Sequence, residues 1–594
     1  KGKYLGVNNE DSRKDSDFEK MISITLNKNE IDVVSKGIKV QTFKALPDKL
    51  DEFEKQFINV TSFNLKNENL FKKRILGLTS YLNDKETLMP RYNEPEDLKI
   101  INIEMSDYQF LEYEKARVQE RKMESSKKTK TKKTKEGEIF EDSVSNYRIF
   151  SRSFCNFVFP ESKRPMPKED QSISDAVKNI DENTIDALSI EERLNNTDGL
   201  YDQEDSEILK EEKTDSEDSS YEKRILNALI FLEKNRAKYL TPDGLKIYSP
   251  KFLHILDNLT DEKMRGLHLI YSQFRTLEGI GILKLVLETN GFTQFKIKKN
   301  ENDQWILDIA IENKGKPCFA LYTGTETPEE KEIIRNIYNS DWGFVPETIV
   351  SDLKIISSNN YYGEIIKTLM ITASGAEGIN LKNTRYVHII EPYWHPVRID
   401  QVIGRARRIC SHQDLPEALR TITVFLYLMT FSKKQLEEES SIELKLKDRS
   451  KRDNLTVLTS DEALFEIANM KKKINKQLLN LMKEASIDCA INVKSNLKEG
   501  IKCFSFGNSL PTTFAYQPSI QKEETDKTSK INKKQIEWKA EEVEIGEMGT
   551  FALNKETGDV YDLESYNNYS KTGVDPRLVG KLITEGDKYK FVRA

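Results

Sequence analysis

The chain is predicted to be an α/β protein built on a parallel, doubly wound sheet, with a helical brace, disordered linkers and a small β unit around it. Three observations carry this. Between residues 223 and 435 short apolar runs alternate with helical patterns, the mark of β-α units in a parallel layer. Charged residues make up 32% of the 594, and acidic and basic groups are segregated along the chain, as in several folded parts joined by polar linkers. The glycines and arginines of the central region fall where strands end, the edge at which such sheets bind ligands.

The strands read in order as GLHLIYSQF (266–274), PCFALYTG (317–324), TLMITAS (368–374), YVHIIEP (386–392) and TVFLYLMTF (423–431). Helices are expected at 277–291 and at 328–339, the second opened by Thr327 as N-cap with Pro328 in its first turn. Upstream, residues 1–60 read as mixed helix and loop with no clear core pattern, and 1–70 as the end of, or linker from, a part of the protein that precedes this chain. Residues 71–165 read as a brace: an amphipathic helix with a basic face over 71–82, a strand over 98–105, and a helix through Tyr108, Phe110 and Tyr113. The lysine-threonine run at 122–136 is expected to be a solvated loop rather than a phosphate-contacting arm. YRIFSRSFCNFVFPESKRP (147–165) is both aromatic and basic. It could stack bases, but a buried element against the central lobe is the main expectation. Residues 166–222, rich in Asp, Glu and Ser, form an acidic disordered linker. The acidic pair inside IDENTID (180–186) lacks the apolar strand that would place it beside a metal ion.

Beyond the lobe, 436–495 is a helical extension, with an amphipathic helix over 459–490 capped by Ser460. Leu464, Ile467, Ile474, Leu478 and Leu481 form its stripe, which is expected to dock on the lobe. Residues 496–545 are a polar linker. Residues 546–594 pair strands around a turn at 556–558 into a β unit, taken as a protein-contact module.

Several function classes drop out. No apolar run approaches the roughly 20 residues that span a bilayer, so no membrane role is expected. Cys155, Cys318, Cys410, Cys489 and Cys503 form no CxxC pair, which argues against a zinc module or a disulfide framework, and the dispersed histidines suggest no metal site. The net charge of -6 does not exclude a nucleic-acid partner, because the charges are segregated.

In SGAEGINL, Ser374, Gly375 and Gly378 would let backbone amides approach a phosphate, although tight turns account for such a stretch equally well. In IDQVIGRARR, Gln401, Arg405 and Arg408 recur at helical spacing and would share a face, with Gly404 leaving it uncrowded. Two guanidiniums together form a clamp for charge developing on a transferred phosphoryl group.

QVIGRARR resembles motif VI of superfamily-two helicases, ITASGAEGINL (371–381) their motif V, HLIYSQF (268–274) their motif IV, and FALYTGT (319–325) the strand between them. The Trp-x-Pro of EPYWHP is similar to that of Swi/Snf-type translocases, while RRICSHQDLP (407–416) departs from their Arg-Ile-Gly-Gln. RILGLTSYL, MSDYQF, YRIFSRSFCNFVFP and TSDEALFEIA together look more like helicases of nucleo-cytoplasmic large DNA viruses, including those related to the poxvirus early transcription factor small subunit. The resemblance covers about 70 to 485. It implies a second RecA-like motor lobe working with ATP and Mg2+. Arg405, Arg408 and Gln401 would be the catalytic residues, and Gly378, Gly404, Glu377 and Asn380 would lie on the nucleotide side. Ser272, Gln273, Thr323, Gly324, Ser374 and Gly375 would lie on the nucleic-acid side. It further implies duplex DNA as the favoured track, a link to transcription machinery, and an intracellular protein of the host cytoplasm or virion.

A GK pair occurs at Gly2-Lys3, Gly315-Lys316 and Gly580-Lys581, never followed by Ser or Thr, so the ATP-cradling first lobe is expected upstream of residue 1. The alternative is a non-catalytic nucleic-acid-binding transcription-factor or virion component with a vestigial motor.

Overall fold

The computed structural model describes residues 15–32, 43–59, 62–81, 88–94, 96–128, 148–162, 221–275, 278–313, 315–323, 326–372, 378–437, 442–492, 496, 500–504, 520, 540–546, 549–555, 557–572, 576–585 and 588–593. The chain divides into two compact units, one of residues 1–83 with 474–534 and one of 84–473 with 535–594. Among the described residues no helix is long and apolar enough to cross a membrane.

The larger unit opens with strand β1 (Leu98–Glu104), helix α1 (Asp107–Lys128) and helix α2 (Ile149–Asn156). Helices α3 (Tyr221–Lys234) and α4 (Pro250–Thr260) lead into β2 (Leu267–Tyr271), α5 (Ile280–Thr289), β3 (Thr293–Gln294) and β4 (Cys318–Tyr322). Next come α6 (Pro328–Tyr338), α7 (Glu347–Ile356), β5 (Thr368–Ile371), β6 (Thr384–Ile389), α8 (Pro396–Ala406) and β7 (Thr423–Thr430). The sheet has seven strands in the order β1-β7-β6-β2-β5-β4-β3, every neighbouring pair parallel.

Alternate strand residues serve opposite faces, as a period of two demands. Ile270, Phe319, Met370 and Tyr427 join α4 and α5 in one core. Leu269, Ala320, Leu369 and Leu426 join α6, α7 and α8 in the other. Both faces are covered, which is why the strands read as continuous apolar runs.

Two strands lie outside the expected five. β3 is only two residues long. β1, assigned from sequence to the brace, runs parallel to β7 from Leu98↔Val424 to Glu104↔Thr430, so the sheet draws on chain well before residue 223. The segment between is integral to the unit. α2 is buried along its whole length, and Arg117, Arg121 and Arg148 converge on buried Asp448. Thr327 forms the expected capping box with Glu330. The long helix α9 (Ser460–Ala485) is capped by Thr459, whose hydroxyl accepts from the Glu462 amide at 3.1 Å, rather than by Ser460. The Ser460 hydroxyl instead meets those of Tyr113 and Ser151 at 2.9 and 2.7 Å. Phe465 of α9 belongs to the second core.

Five antiparallel strands complete this unit: β8 (Glu541–Glu544), β9 (Thr550–Leu553), β10 (Asp559–Asp562), β11 (Leu578–Glu585) and β12 (Lys588–Arg593). Helix α10 (Leu563–Thr572) lies between β10 and β11. β8 lies in sequence read as linker, and α10 replaces part of an expected strand.

In the smaller unit Phe53, Phe57 and Phe71 cluster with ring centroids 5.1–6.2 Å apart. The helix expected over 71–82 spans Glu68–Ile75 and stops before Gly77, which takes a left-handed φ of +76°. Its Lys73 and Arg74 are buried rather than forming a solvated basic face. Cys489 and Cys503, expected to be free, form a disulfide because the turn after α9 brings their Cα atoms to 5.6 Å. The lysine run beyond 128, the acidic stretch through 220 and IDENTID lie outside the described residues.

Inside the first core a directional hydrogen-bond chain crosses the sheet. Asn258 donates to the Tyr427 hydroxyl, Tyr427 to His388 Nδ1, His388 Nε2 to His268 Nδ1, and His268 Nε2 to the Met264 carbonyl. The two links in which His388 Nδ1 and His268 Nδ1 accept require both imidazoles to be neutral. Burial pushes His388 down to about 3 and His268 well below its ordinary value, and buried His412 falls to about 4. An unfolded histidine takes up its proton near pH 6.5, whereas these three resist it when folded. Acid therefore favours the unfolded chain, and stability is lost as pH falls from about 6.5 toward the folded values. His388 and His412 should each cost about 2 kcal/mol by pH 5. Melting temperatures between pH 7 and 5 should fall steeply, and less so in His412→Gln. A flat profile would count against this account.

Candidate nucleotide and nucleic-acid interface

Because all seven strands run the same way, their carboxyl ends share one edge. The register pairs Tyr322 with Ile371, Ile371 with Tyr271, and Tyr271 with Ile389, so four strand ends lie level. Thr323, Thr372, Ser272 and Ile390 therefore follow side by side, at the edge where parallel sheets bind ligands. Of the residues expected here, Gly324, Ser374, Gly375 and Glu377 lie outside the described residues. Gly378 has φ +77°, and a Cβ there would meet nothing within 4 Å, so left-handed backbone rather than space selects glycine. Asn380 is exposed, and its carbonyl accepts from Asn339 Nδ2 at 2.9 Å.

Ser272 and Gln273 at the end of β2 are held by Glu391, which follows β6. The Ser272 hydroxyl donates to Glu391 Oε1 at 2.5 Å and the Gln273 amide to Oε2 at 3.1 Å. Gln273 Nε2 donates to the Pro392 carbonyl at 3.3 Å. Burial raises the Glu391 pKa, while Ser272, Lys251, the Gln273 amide and Asn156 pull it down. Thr323 differs from expectation. Its amide donates to the Glu326 carboxylate at 2.7 Å and its hydroxyl at 3.2 Å, so a phosphate must displace that carboxylate to reach Thr323.

Helix α8 packs Val402, Ile403 and Ala406 against the sheet, leaving Gln401 exposed and Arg405 half-buried. Gly404 is uncrowded, since an added Cβ would meet nothing within 4 Å. Sequence spacing placed Gln401, Arg405 and Arg408 on one helical face, but the helix ends at Ala406. Arg407 leaves helical geometry at ψ 82°, so Arg408 lies in the following turn. There it donates to the Ile379 carbonyl at 3.0 Å, while the Leu381 amide donates to the Arg405 carbonyl at 3.2 Å. The glycine loop and the arginine helix are thus stitched together at both arginines.

Sequence reasoning missed the buried charges beneath this edge. Lys251 Nζ donates to Asn156 Oδ1 (2.9 Å), the Ile390 carbonyl (3.0 Å) and Asp461 (2.6 Å), with both charged groups at 0% exposure. Asn156 also donates to Glu391 (2.6 Å). The available signal was charged or amide residues interrupting apolar text, Lys251 in SPKFLHIL and Arg152 and Asn156 in IFSRSFCNFVF.

Residues 348–410, which run from within α7 through β5, β6 and α8, match the family model of the helicase conserved C-terminal domain. A protein of Acanthamoeba polyphaga mimivirus named as an ATP-dependent RNA helicase is 26% identical over 89% of this chain and 63% of its own length. The termination factor NPH-I homolog of African swine fever virus is 26% identical over 76% of this chain and 54% of its own length. The chain thus spans between half and two thirds of these relatives. Among solved structures, the C-terminal part of the Fun30 ATPase domain aligns over 65% of this chain and 99% of that one, at 15% identity and a TM-score of 0.30.

Proposed function

We propose that this chain supplies the second motor lobe of an ATP-dependent helicase or translocase that moves along nucleic acid in viral transcription or genome handling. The observation that carries the reading is the Arg405-Arg408 segment, tied to the chain just after Gly378 by the Arg408–Ile379 hydrogen bond, on a sheet whose carboxyl edge carries the Ser272-Gln273 loop held by Glu391. Gln273, Thr323, Gly324, Ser374 and Gly375 hold the sugar-phosphate backbone, while Ser272, fully buried and bonded to Glu391, fixes the start of the loop rather than meeting the strand itself. Arg405 and Arg408 reach the nucleotide, with Gln401 alongside them and Glu377, Gly378, Asn380 and Gly404 framing it.

These donors are guanidiniums and amides, a set that matches phosphoryl oxygens. Among the described residues no group of three or more His, Cys, Asp or Glu is placed to hold a metal ion. In this reading ATP and its Mg2+ are held mainly on a first lobe. Bound ATP would supply the phosphoryl group for transfer, and the residues here would stabilise the charge that develops and grip the strand.

Swi/Snf-type text favours duplex DNA as the track, while the name of the mimivirus relative favours RNA. The termination-factor name of the other relative favours a place in transcription. ATP hydrolysis by a protein carrying both lobes, measured with duplex DNA, single-stranded DNA and RNA, tests the reading. Stimulation of tenfold or so by one of them is expected. No hydrolysis under any condition would leave a non-catalytic binding component.

A further inference from the structure

We propose that Arg152 and Asn156, on helix α2 far upstream of β2 in the chain, are positioning residues for the Ser272-Gln273 grip on nucleic acid. This rests on the reading of that loop as a backbone contact. Arg152 is only 2% exposed, so it does not itself meet a ligand. Its guanidinium donates to Gln273 Oε1 and lies 5.4 Å from the Phe274 ring centroid. A guanidinium can only donate and the Pro392 carbonyl can only accept. Together they fix which way the Gln273 amide points, oxygen toward Arg152 and nitrogen toward Pro392.

Asn156, one turn further along α2, does the same for the other half of the loop. Its Nδ2 donates to Glu391 Oε1 and to the Glu278 carbonyl (2.8 Å), so the carboxylate that holds Ser272 and the Gln273 amide is itself held in place. Lys251 in turn fixes the Asn156 amide by donating to its oxygen.

A role in packing alone does not account for these residues. Arg152 is buried on a segment whose Phe150, Phe154 and Phe157 are buried as well, and an apolar side chain at 152 would avoid the desolvation that lowers the guanidinium's pKa. Its Nε has no hydrogen-bond partner among the described residues. A costly, incompletely satisfied charge aimed at the loop of a binding edge fits a position kept for geometry.

The test is binding of labelled duplex DNA, single-stranded DNA and RNA to this chain at one fixed salt concentration, using Arg152→Ala, Gln273→Ala and the double variant. Each single change is expected to weaken binding about tenfold. The double variant should be no weaker than Gln273→Ala alone, because Arg152 acts through Gln273. Arg152→Lys keeps the charge but not the planar fork, so it should bind with intermediate affinity at an unchanged melting temperature. Losses that multiply in the double variant would overturn the proposal, as would wild-type affinity in Arg152→Lys. If the unmutated chain binds none of the three nucleic acids, the reading of the edge itself fails and this proposal falls with it.

Discussion

Arg405→Ala is expected to lower nucleic-acid-stimulated ATP hydrolysis by roughly three orders of magnitude in a protein carrying both lobes, the lower end of what an arginine finger contributes. Arg405 sits half-buried in the last turn of α8, where its backbone is tied to the chain that follows Gly378. Its carbonyl accepts the Leu381 amide, a bond the substitution leaves intact. Affinity for nucleic acid should therefore change little. Arg408→Ala is a contrasting case. Its guanidinium holds the Ile379 carbonyl, so removing it loosens the glycine loop as well as removing a positive charge. Both affinity and hydrolysis should fall. Steady-state hydrolysis alongside equilibrium binding separates the two. Equal loss of binding in Arg405→Ala would remove it from the nucleotide role and make it a strand contact.

The central sheet was legible because its chemistry is local. Strands buried on both faces show as apolar runs, and Thr327 with Glu330 announces a helix start within four residues. β1 was recognised as a strand but not as part of this sheet, since only a partner more than three hundred residues away, β7, reveals it. Arg408 shows the limit of periodicity. Spacings of four and three imply a shared face only while the helix lasts, and nothing apolar marks its end at Ala406. The Cys489–Cys503 bridge and the Lys251-Asp461 pair are long-range coincidences of the same kind. The residues that support the site were harder to read than those that form it, because a supporting residue is defined by what it touches.

Asp461→Ala should be among the most destabilising single changes in the larger unit, at about 3–5 kcal/mol, because it leaves Lys251 charged and without its counter-ion in a fully buried position. The loss also strips the Met429 amide of its acceptor. Lys251→Met should cost less, since a neutral chain of similar length fills the space while Asp461 keeps the Met429 amide and its place in the first turn of α9. Replacing both, Lys251→Met with Asp461→Leu, should recover much of the loss, as buried ion pairs exchanged for apolar groups usually do. Urea unfolding of the four proteins decides the matter. An Asp461→Ala cost below about 1 kcal/mol would mean that the lysine finds water or another acceptor there. The double variant carries the more informative result. Lys251 also donates to the Ile390 carbonyl and to Asn156, beside the carboxylate that holds Ser272 and Gln273. If the apolar pair restores stability without restoring nucleic-acid affinity, the charges beneath the edge serve the grip rather than the fold.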